Sequence, residues 1–321
     1  MKYDKIKGLD KKISKLVMGN DNQIEYESAA QVWDHWINMG GNSFDNAHIY
    51  GGGKMEKLLG EWHRKRNNRS EIVIIVKGAH TPNCNPQSLS EQLSESLERL
   101  QIDYADIYIM HRDNKSIPVD EFIDVLNTEK QKGRIKIFGV SNWTLERFSG
   151  ANNWAKKNKK YSMSILNNNL ALSKMIKPLW PGCISSNDID ILNFLESTQT
   201  AHLSWSSQGR GYFLPSNVCK AIEKQITKDE SSWRKDGEHS SGPISCFDSK
   251  DNKERRKRAN ILAAEMKVTT QNIAGCWPLN QPFPSFALIG PRKIEEIDSS
   301  LKNLDIKLTK DKVNWLNLVN E

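Results

Sequence analysis

Cysteine is scarce and scattered in this chain. Cys84, Cys183, Cys219, Cys246 and Cys276 stand far apart, with no Cys-x-x-Cys spacing. An odd, dispersed set argues against a disulfide framework and against a thiolate metal site. The seven histidines contain no His-Glu-x-x-His pattern, which speaks against a metal hydrolase and leaves no metal expected. No apolar run approaches the length of a membrane span, and the N-terminus has no apolar core of signal-peptide length. The expectation is a soluble, cytoplasmic protein without a membrane partner. No Gly-x-Gly-x-x-Gly follows the first strand pattern, so a dinucleotide site of the open doubly wound type is disfavoured. Gly51-Gly52-Gly53-Lys54 is not a phosphate loop, because Met55 stands where Ser or Thr should hold magnesium; it reads as a turn ahead of a helix. The formal net charge of +7 over 321 residues is mild. Basic clusters such as 252–258 lack aromatic interleaving, so no nucleic-acid partner is expected.

What is present is a rhythm. Short apolar runs at 15–19, 43–45, 72–76, 106–110, 135–140, 162–166, 201–205 and 286–289 read as strands. Helical spacing follows them at 26–39, 56–64, 88–100, 119–132, 144–156, 188–195, 254–266, 270–277, 293–301 and 310–319, with Thr144 as a cap. The opening residues alternate basic and apolar side chains, which fits a short hairpin before the first strand. The stretch 209–251 is long, polar and poorly periodic, and reads as a functional or disordered loop. Strands alternating with helices over this length predict an α/β fold, a (β/α)8 TIM barrel, with no composition break in 1–321 to mark a second domain. The alternative is an open doubly wound sheet.

The stretch from Ser43 to Lys54, Ser-Phe-Asp-Asn-Ala-His-Ile-Tyr-Gly-Gly-Gly-Lys, organises the rest. Asp45 ends one apolar run, Tyr50 follows on a short loop, Lys77 ends the next run and His111 the one after. In a parallel barrel these strand ends gather on one face. Reducing a carbonyl with a nicotinamide requires a proton donor at the developing alkoxide. A phenol with a free pKa of about 10 is a weak acid, and a neighbouring ammonium stabilises its conjugate base. A carboxylate holds that lysine charged and in place, and an imidazole orients the carbonyl. Taken singly, Asp45 could cap a helix, Lys77 face solvent, Tyr50 pack and His111 sit satisfied in the core. At consecutive strand ends, the four together favour one site.

On these residues the chain resembles the aldo-keto reductase family, whose catalytic Asp, Tyr, Lys and His match Asp45, Tyr50, Lys77 and His111 in order and context. The resemblance extends over nearly the whole chain. It implies that Ser141 and Asn142, in Gly139-Val140-Ser141-Asn142, bind the nicotinamide carboxamide, with Asn167 where the family has Gln. It implies that Trp205 stacks on the nicotinamide, replacing the commoner Tyr, and that Ser206, Gln208, Gly209 and Arg210 wrap the pyrophosphate, with Ser207 in place of Pro. Gly290 and Arg292, in Ile289-Gly290-Pro291-Arg292, resemble the segment that holds an adenosine 2′-phosphate, so NADP(H) is expected over NAD(H). Ser299-Ser300 replaces a Glu-Asn pair that contacts adenine. Asn20, within Gly19-Asn20-Asp21, corresponds to a Gly-Thr segment at the cofactor.

The implied partner is a small carbonyl substrate, with the oligomeric state undecided. Trp143, His48 and Trp180 are candidates for the substrate rim and would suit a sugar-derived or other polar aldehyde, or serve as scaffold. Arg112 and Asp113 are expected near the mouth, paired with each other. Two other readings compete. One is a cofactor-binding regulatory subunit of the same family, which keeps the same four residues. The other is a metal-dependent sugar isomerase on the same barrel, which needs more inward carboxylates and histidines than Asp45 and His111 supply.

Overall fold

The computed structural model describes residues 1–228 and 241–319. Its strands are β1 (Tyr3–Asp4), β2 (Ile13–Ser14), β3 (Leu16–Gly19), β4 (Ser43–Ala47), β5 (Val73–Gly78), β6 (Ala105–Met110), β7 (Ile135–Val140), β8 (Ile165–Leu166), β9 (Ala201–Ser204) and β10 (Ser285–Ile289). Its helices are α1 (Tyr26–Asn38), α2 (Lys54–Arg66), α3 (Pro86–Leu100), α4 (Val119–Gln131), α5 (Leu145–Lys157), α6 (Ile189–Thr198), α7 (Ser216–Lys228), α8 (Pro243–Phe247), α9 (Lys250–Met266), α10 (Thr270–Cys276), α11 (Ile294–Leu301) and α12 (Lys310–Leu316). Strands β3 to β10 close into a parallel barrel, each paired with the next and β10 with β3. This is the (β/α)8 barrel.

The alternation of each strand decides what faces the axis. Val17, Val73, Ile75, Ile107, Ile109, Ile137, Ile165, Ala201, Leu203 and Phe286 form one inner cluster. Ile6, Leu9 and Ile13 from the β1–β2 hairpin join it and close the end of the barrel at which the strands begin. The intervening residues, among them Met18, Phe44, Ile74, Val76, Tyr108, Met110 and Phe138, belong to a second cluster beneath the helices. There α1, α2 and β4 lock together through aromatic rings. Trp33 and Trp62 meet edge to face at 5.5 Å between centroids, and Phe44 lies 5.3 Å from Trp62. Each such pair adds about 1 kcal/mol beyond simple burial. That packing fixes the strand that carries Asp45.

The stretch 209–251, expected as a loop, contains two helices, α7 and α8; residues 229–240 lie outside the described part. Pro215 precedes α7, and Cys219 and Ile222 recur at helical spacing, so the helix has an ordinary physical basis. No described helix is long and apolar enough to cross a membrane.

Candidate active site

The inward parity of the strands continues to their C-terminal ends and changes there from aliphatic to polar. Asp45 lies two residues after inward Ser43, Lys77 two after Ile75 and His111 two after Ile109. Ser141, Asn167 and Trp205 continue β7, β8 and β9 in the same way. Tyr50 arrives from the loop beyond β4. That loop is anchored because the His48 backbone N–H donates to the carbonyl of Lys77 at 2.8 Å, and Arg99 donates to the carbonyl of His48 at 3.2 Å. Gly51, Gly52 and Gly53 then turn the chain with φ of 55°, 62° and 91°, a left-handed run suited to glycine, and release it into α2. The Lys77 ammonium donates to a carboxylate oxygen of Asp45 and, at 3.0 Å, to the hydroxyl of Tyr50. The His111 ring stands edge-on to Tyr50, with centroids 5.9 Å apart.

Burial and charge act on these groups together. Burial works against the ammonium of Lys77, but Asp45 and Tyr50 outweigh it and hold its pKa above the usual lysine value. Burial pushes the Tyr50 phenol up to about 12, although the lysine pulls the other way. It also lifts the Asp45 carboxyl, against the pull of Lys77. His111 is driven well below its ordinary value by burial first, then by His80, Arg112 and Lys77. At neutral pH the site therefore presents a neutral phenol carrying its proton, a charged lysine that contacts both the phenol and Asp45, and an imidazole that burial holds towards its neutral form.

A cleft of about 570 Å³ opens at this point and runs along the barrel mouth. Tyr50, Lys77 and His111 line it, followed by Ser141, Asn142, Asn167, Trp205, Ser206, Gln208 and Arg210, and its far part is lined by Gly290, Arg292 and Ser300. The polar wall is cross-braced. Ser141 Oγ donates to the carbonyl of Asn167 at 2.5 Å, and Asn142 Nδ2 donates to the carbonyl of His111 at 3.3 Å. Asn167 Nδ2 reaches the carbonyl of Leu203 at 2.6 Å. Trp205 meets Trp180 edge to face at 6.2 Å, and the Arg210 guanidinium lies 4.8 Å from the Trp180 ring centre. At the far end the Gln271 amide donates to Gln208 at 2.7 Å, while its own carbonyl oxygen is buried without a hydrogen-bond partner among the described residues. A second, more open groove between α2 and α3 is lined by charged side chains that pair among themselves, such as Lys65 with Glu61 and Arg99 with Glu95. It offers no comparable chemistry. No group of three His, Cys, Asp or Glu residues that could hold a metal ion is found among the described residues.

The aldo/keto reductase family profile matches residues 15–321. The chain belongs to the aldo/keto reductase family. It is 22% identical to the "Uncharacterized oxidoreductase YrpG" of Bacillus subtilis, over 99% of this chain and 95% of that protein. It is 25% identical to the "Aryl-alcohol dehydrogenase [NADP(+)]" of Phanerodontia chrysosporium, over 92% of this chain and 76% of that one. Among solved structures, a thermostable aldo-keto reductase, Tm1743, crystallised with the inhibitor epalrestat, matches with a TM-score of 0.74 and 20% identity over the full length of both chains.

Not every residue expected at this aldo/keto reductase site faces the cleft. Asn20 is fully buried behind it, donating to Asn46 at 3.0 Å and accepting from the Trp33 indole at 2.9 Å; Gly19, Asp21 and Asn22 beside it line the cleft instead. Gly209 is buried in the turn behind Gln208 and Arg210. Trp143 is scaffold, its indole donating to the carbonyl of Arg112 at 3.2 Å, and His48 pairs with Glu95 at 2.8 Å away from the cleft. Trp180 does reach the cleft. Asp113 pairs with Arg147 at 2.7 Å, and the Arg147 guanidinium meets both carboxylate oxygens. Among the lining residues that sequence reasoning missed are His80, whose ring is 4.9 Å from that of His111, Glu296 in the first turn of α11, Gln271 on α10, and Ile222, Gln225 and Ile226 on α7. The last three were recoverable from helical spacing; Gln271 carries no local signal.

Proposed function

We propose that this chain is an NADP(H)-dependent oxidoreductase that reduces an aldehyde or ketone to an alcohol, with Tyr50 as the proton donor. The observation that carries this reading is the hydrogen bond from Lys77 to the Tyr50 hydroxyl at 3.0 Å, in a cleft that His111 also lines. A bound nicotinamide cofactor would supply the hydride. Tyr50 delivers its proton to the carbonyl oxygen as negative charge develops there. Lys77, held by Asp45, stabilises the phenolate left behind, and neutral His111 orients the carbonyl.

The lining residues fit a nicotinamide dinucleotide. Ser141, Asn142 and Asn167 form an amide and hydroxyl cluster suited to the carboxamide, and Trp205 gives a ring face for the nicotinamide. Ser206, Gln208 and Arg210 suit the pyrophosphate, with Gly209 shaping their turn and Asn20 buttressing the strand ends from behind. Gly290, Arg292 and Ser300 suit the adenosine end. Two observations support the fit: the partnerless carbonyl of Gln271, and the close quarters at Gly290, where a Cβ would stand 2.9 Å from Asn22 Nδ2. NADP(H) is favoured because the exposed Arg292 guanidinium suits a 2′-phosphate, and a relative carries NADP(+) in its name. That relative's name also makes aromatic aldehydes the first substrates to try. The cytoplasm is the compartment that suits five buried cysteines without a disulfide.

The test is NADPH oxidation by the purified protein with an aromatic aldehyde, comparing wild type with Tyr50→Phe. Turnover that falls by about 10²–10⁴ in the variant, with NADPH binding intact, supports the mechanism. Binding without turnover by either protein across a broad carbonyl panel would point to a regulatory subunit. Absence of any nicotinamide binding would sink the reading.

A further inference from the structure

At the far end of the cleft, α11 begins just after Gly290-Pro291-Arg292, and its first turn carries Glu296. Glu296 is an exposed residue, but its carboxylate is engaged. Its Oε2 accepts the backbone N–H of Arg292 at 2.7 Å, and both residues line the cleft. Pro291 has no N–H, so the Arg292 amide is the first main-chain donor after Gly290 that an arriving anion could use. It is already engaged in a charge-assisted bond to an anion of the protein's own. The backbone that carries this carboxylate is tied to the cleft wall, since the Ser300 hydroxyl donates to the Glu296 main-chain carbonyl at 2.8 Å and Gln208 reaches Ser300 at 3.4 Å. Asp21 supplies a second carboxylate to the same region, close enough that a Cβ on Gly290 would lie 3.6 Å from its Oδ1. The Arg292 guanidinium is exposed and makes no hydrogen bond or ion pair with a described residue.

We propose that Glu296 is an internal rival of the cofactor's 2′-phosphate, occupying the Arg292 amide and thereby setting how far NADP(H) is preferred over NAD(H). The inference rests on the proposed placement of the adenosine end. A phosphate dianion meets two opposing features here, the cationic Arg292 side chain and a carboxylate that both repels it and has taken a donor. A ribose 2′-hydroxyl meets the reverse, because a carboxylate accepts a hydroxyl proton well. Arg292 and Glu296 thus pull the selectivity in opposite directions from neighbouring points on one turn. Replacing the carboxylate by an amide removes the repulsion and weakens the hold on the Arg292 amide without changing the side chain's size.

The test measures dissociation constants for NADP⁺, NAD⁺, adenosine 2′,5′-bisphosphate and 5′-AMP by calorimetry, which needs no catalysis. Wild type is compared with Glu296→Gln and with Glu295→Gln, an exposed neighbour that makes the same change in net charge. Glu296→Gln is expected to raise the preference for NADP⁺ over NAD⁺, and for the bisphosphate over AMP, by about tenfold, the effect of removing one nearby negative charge and weakening one charge-assisted bond. Glu295→Gln should move either ratio by less than about twofold. Ratios unmoved in Glu296→Gln while all ligands still bind, or an equal rise in Glu295→Gln, would overturn this inference alone. Failure of wild type to bind either dinucleotide would overturn it together with the function proposed above.

Discussion

The Lys77 ammonium sits 3.0 Å from the Tyr50 hydroxyl, yet the phenol is pushed up to about 12 rather than down. Burial outweighs the lysine, so the acid form persists across the physiological range. His111 is displaced the other way and stays neutral there. Neither group changes charge near neutrality. Carbonyl reduction should therefore show a flat kcat/KM between about pH 6 and about pH 9, falling only as higher pH begins to strip the Tyr50 proton. A one-proton step near pH 7 in substrate reduction would contradict that assignment.

The same ammonium is tied to Asp45, and both side chains are almost wholly buried, at 3% and 1% exposure. Lys77→Met leaves a buried carboxylate without its countercharge and should cost about 3–5 kcal/mol in urea denaturation. Adding Asp45→Asn to that variant removes the stranded charge and should recover most of the loss. Activity should not recover, because nothing then stabilises the Tyr50 phenolate. If the double variant is no more stable than Lys77→Met, the pair's cost is one of shape rather than charge.

The sequence foretold the barrel because short, largely apolar runs recur between helical stretches; β7 falls on 135–140 as expected. It overstated β8, read as 162–166, because only Ile165 and Leu166 pair as strand. The Asn152 side chain explains the difference: it accepts from the Met163 N–H at 2.8 Å and donates to the Met163 carbonyl at 3.1 Å, replacing ladder partners. The four catalytic candidates were legible because each ends a run or follows one closely. Asn20 misled because a residue beside the cleft and one facing it look alike in sequence; only the inward Trp33 indole and Asn46 amide explain its turn. Gln271 was invisible because its place in the cleft depends on how α10 lies against the barrel, a long-range matter.

His202 offers a test of stability rather than catalysis. It is fully buried on β9, with Nδ1 3.0 Å from Ser204 Oγ, and burial drives its pKa down to about 3. The folded state thus keeps the ring neutral while the unfolded chain protonates near pH 6.5, so the unfolded state binds more protons between those values. The stability is fully present above the unfolded pKa and is lost as pH falls towards the folded one. His202→Gln should shrink the loss of unfolding free energy between pH 8 and pH 5 by on the order of 2 kcal/mol. His111 contributes in the same direction to both proteins, so the difference isolates His202. Parallel pH profiles for the two proteins would show that the ring is not what makes the fold acid-sensitive.

Gly290 separates cofactor binding from folding. Its φ lies outside the left-handed region, so alanine is acceptable to the backbone, but the added Cβ would stand 2.9 Å from Asn22 Nδ2. That amide donates to the Gly290 carbonyl at 3.1 Å and ends a flexible side chain, so it can move aside at little cost to the fold. Asn22 lines the cleft, and its displacement narrows the space offered to the adenosine end. Gly290→Ala should keep its melting temperature within about 2 °C of wild type. Its affinity for NADP⁺, followed by tryptophan fluorescence, should fall about tenfold. The two readouts divide the outcomes cleanly. A folded variant that binds NADP⁺ as tightly as wild type would remove Gly290 from the cofactor's path, whereas a large drop in melting temperature would mean that Asn22 is held rigidly and that the contact is structural.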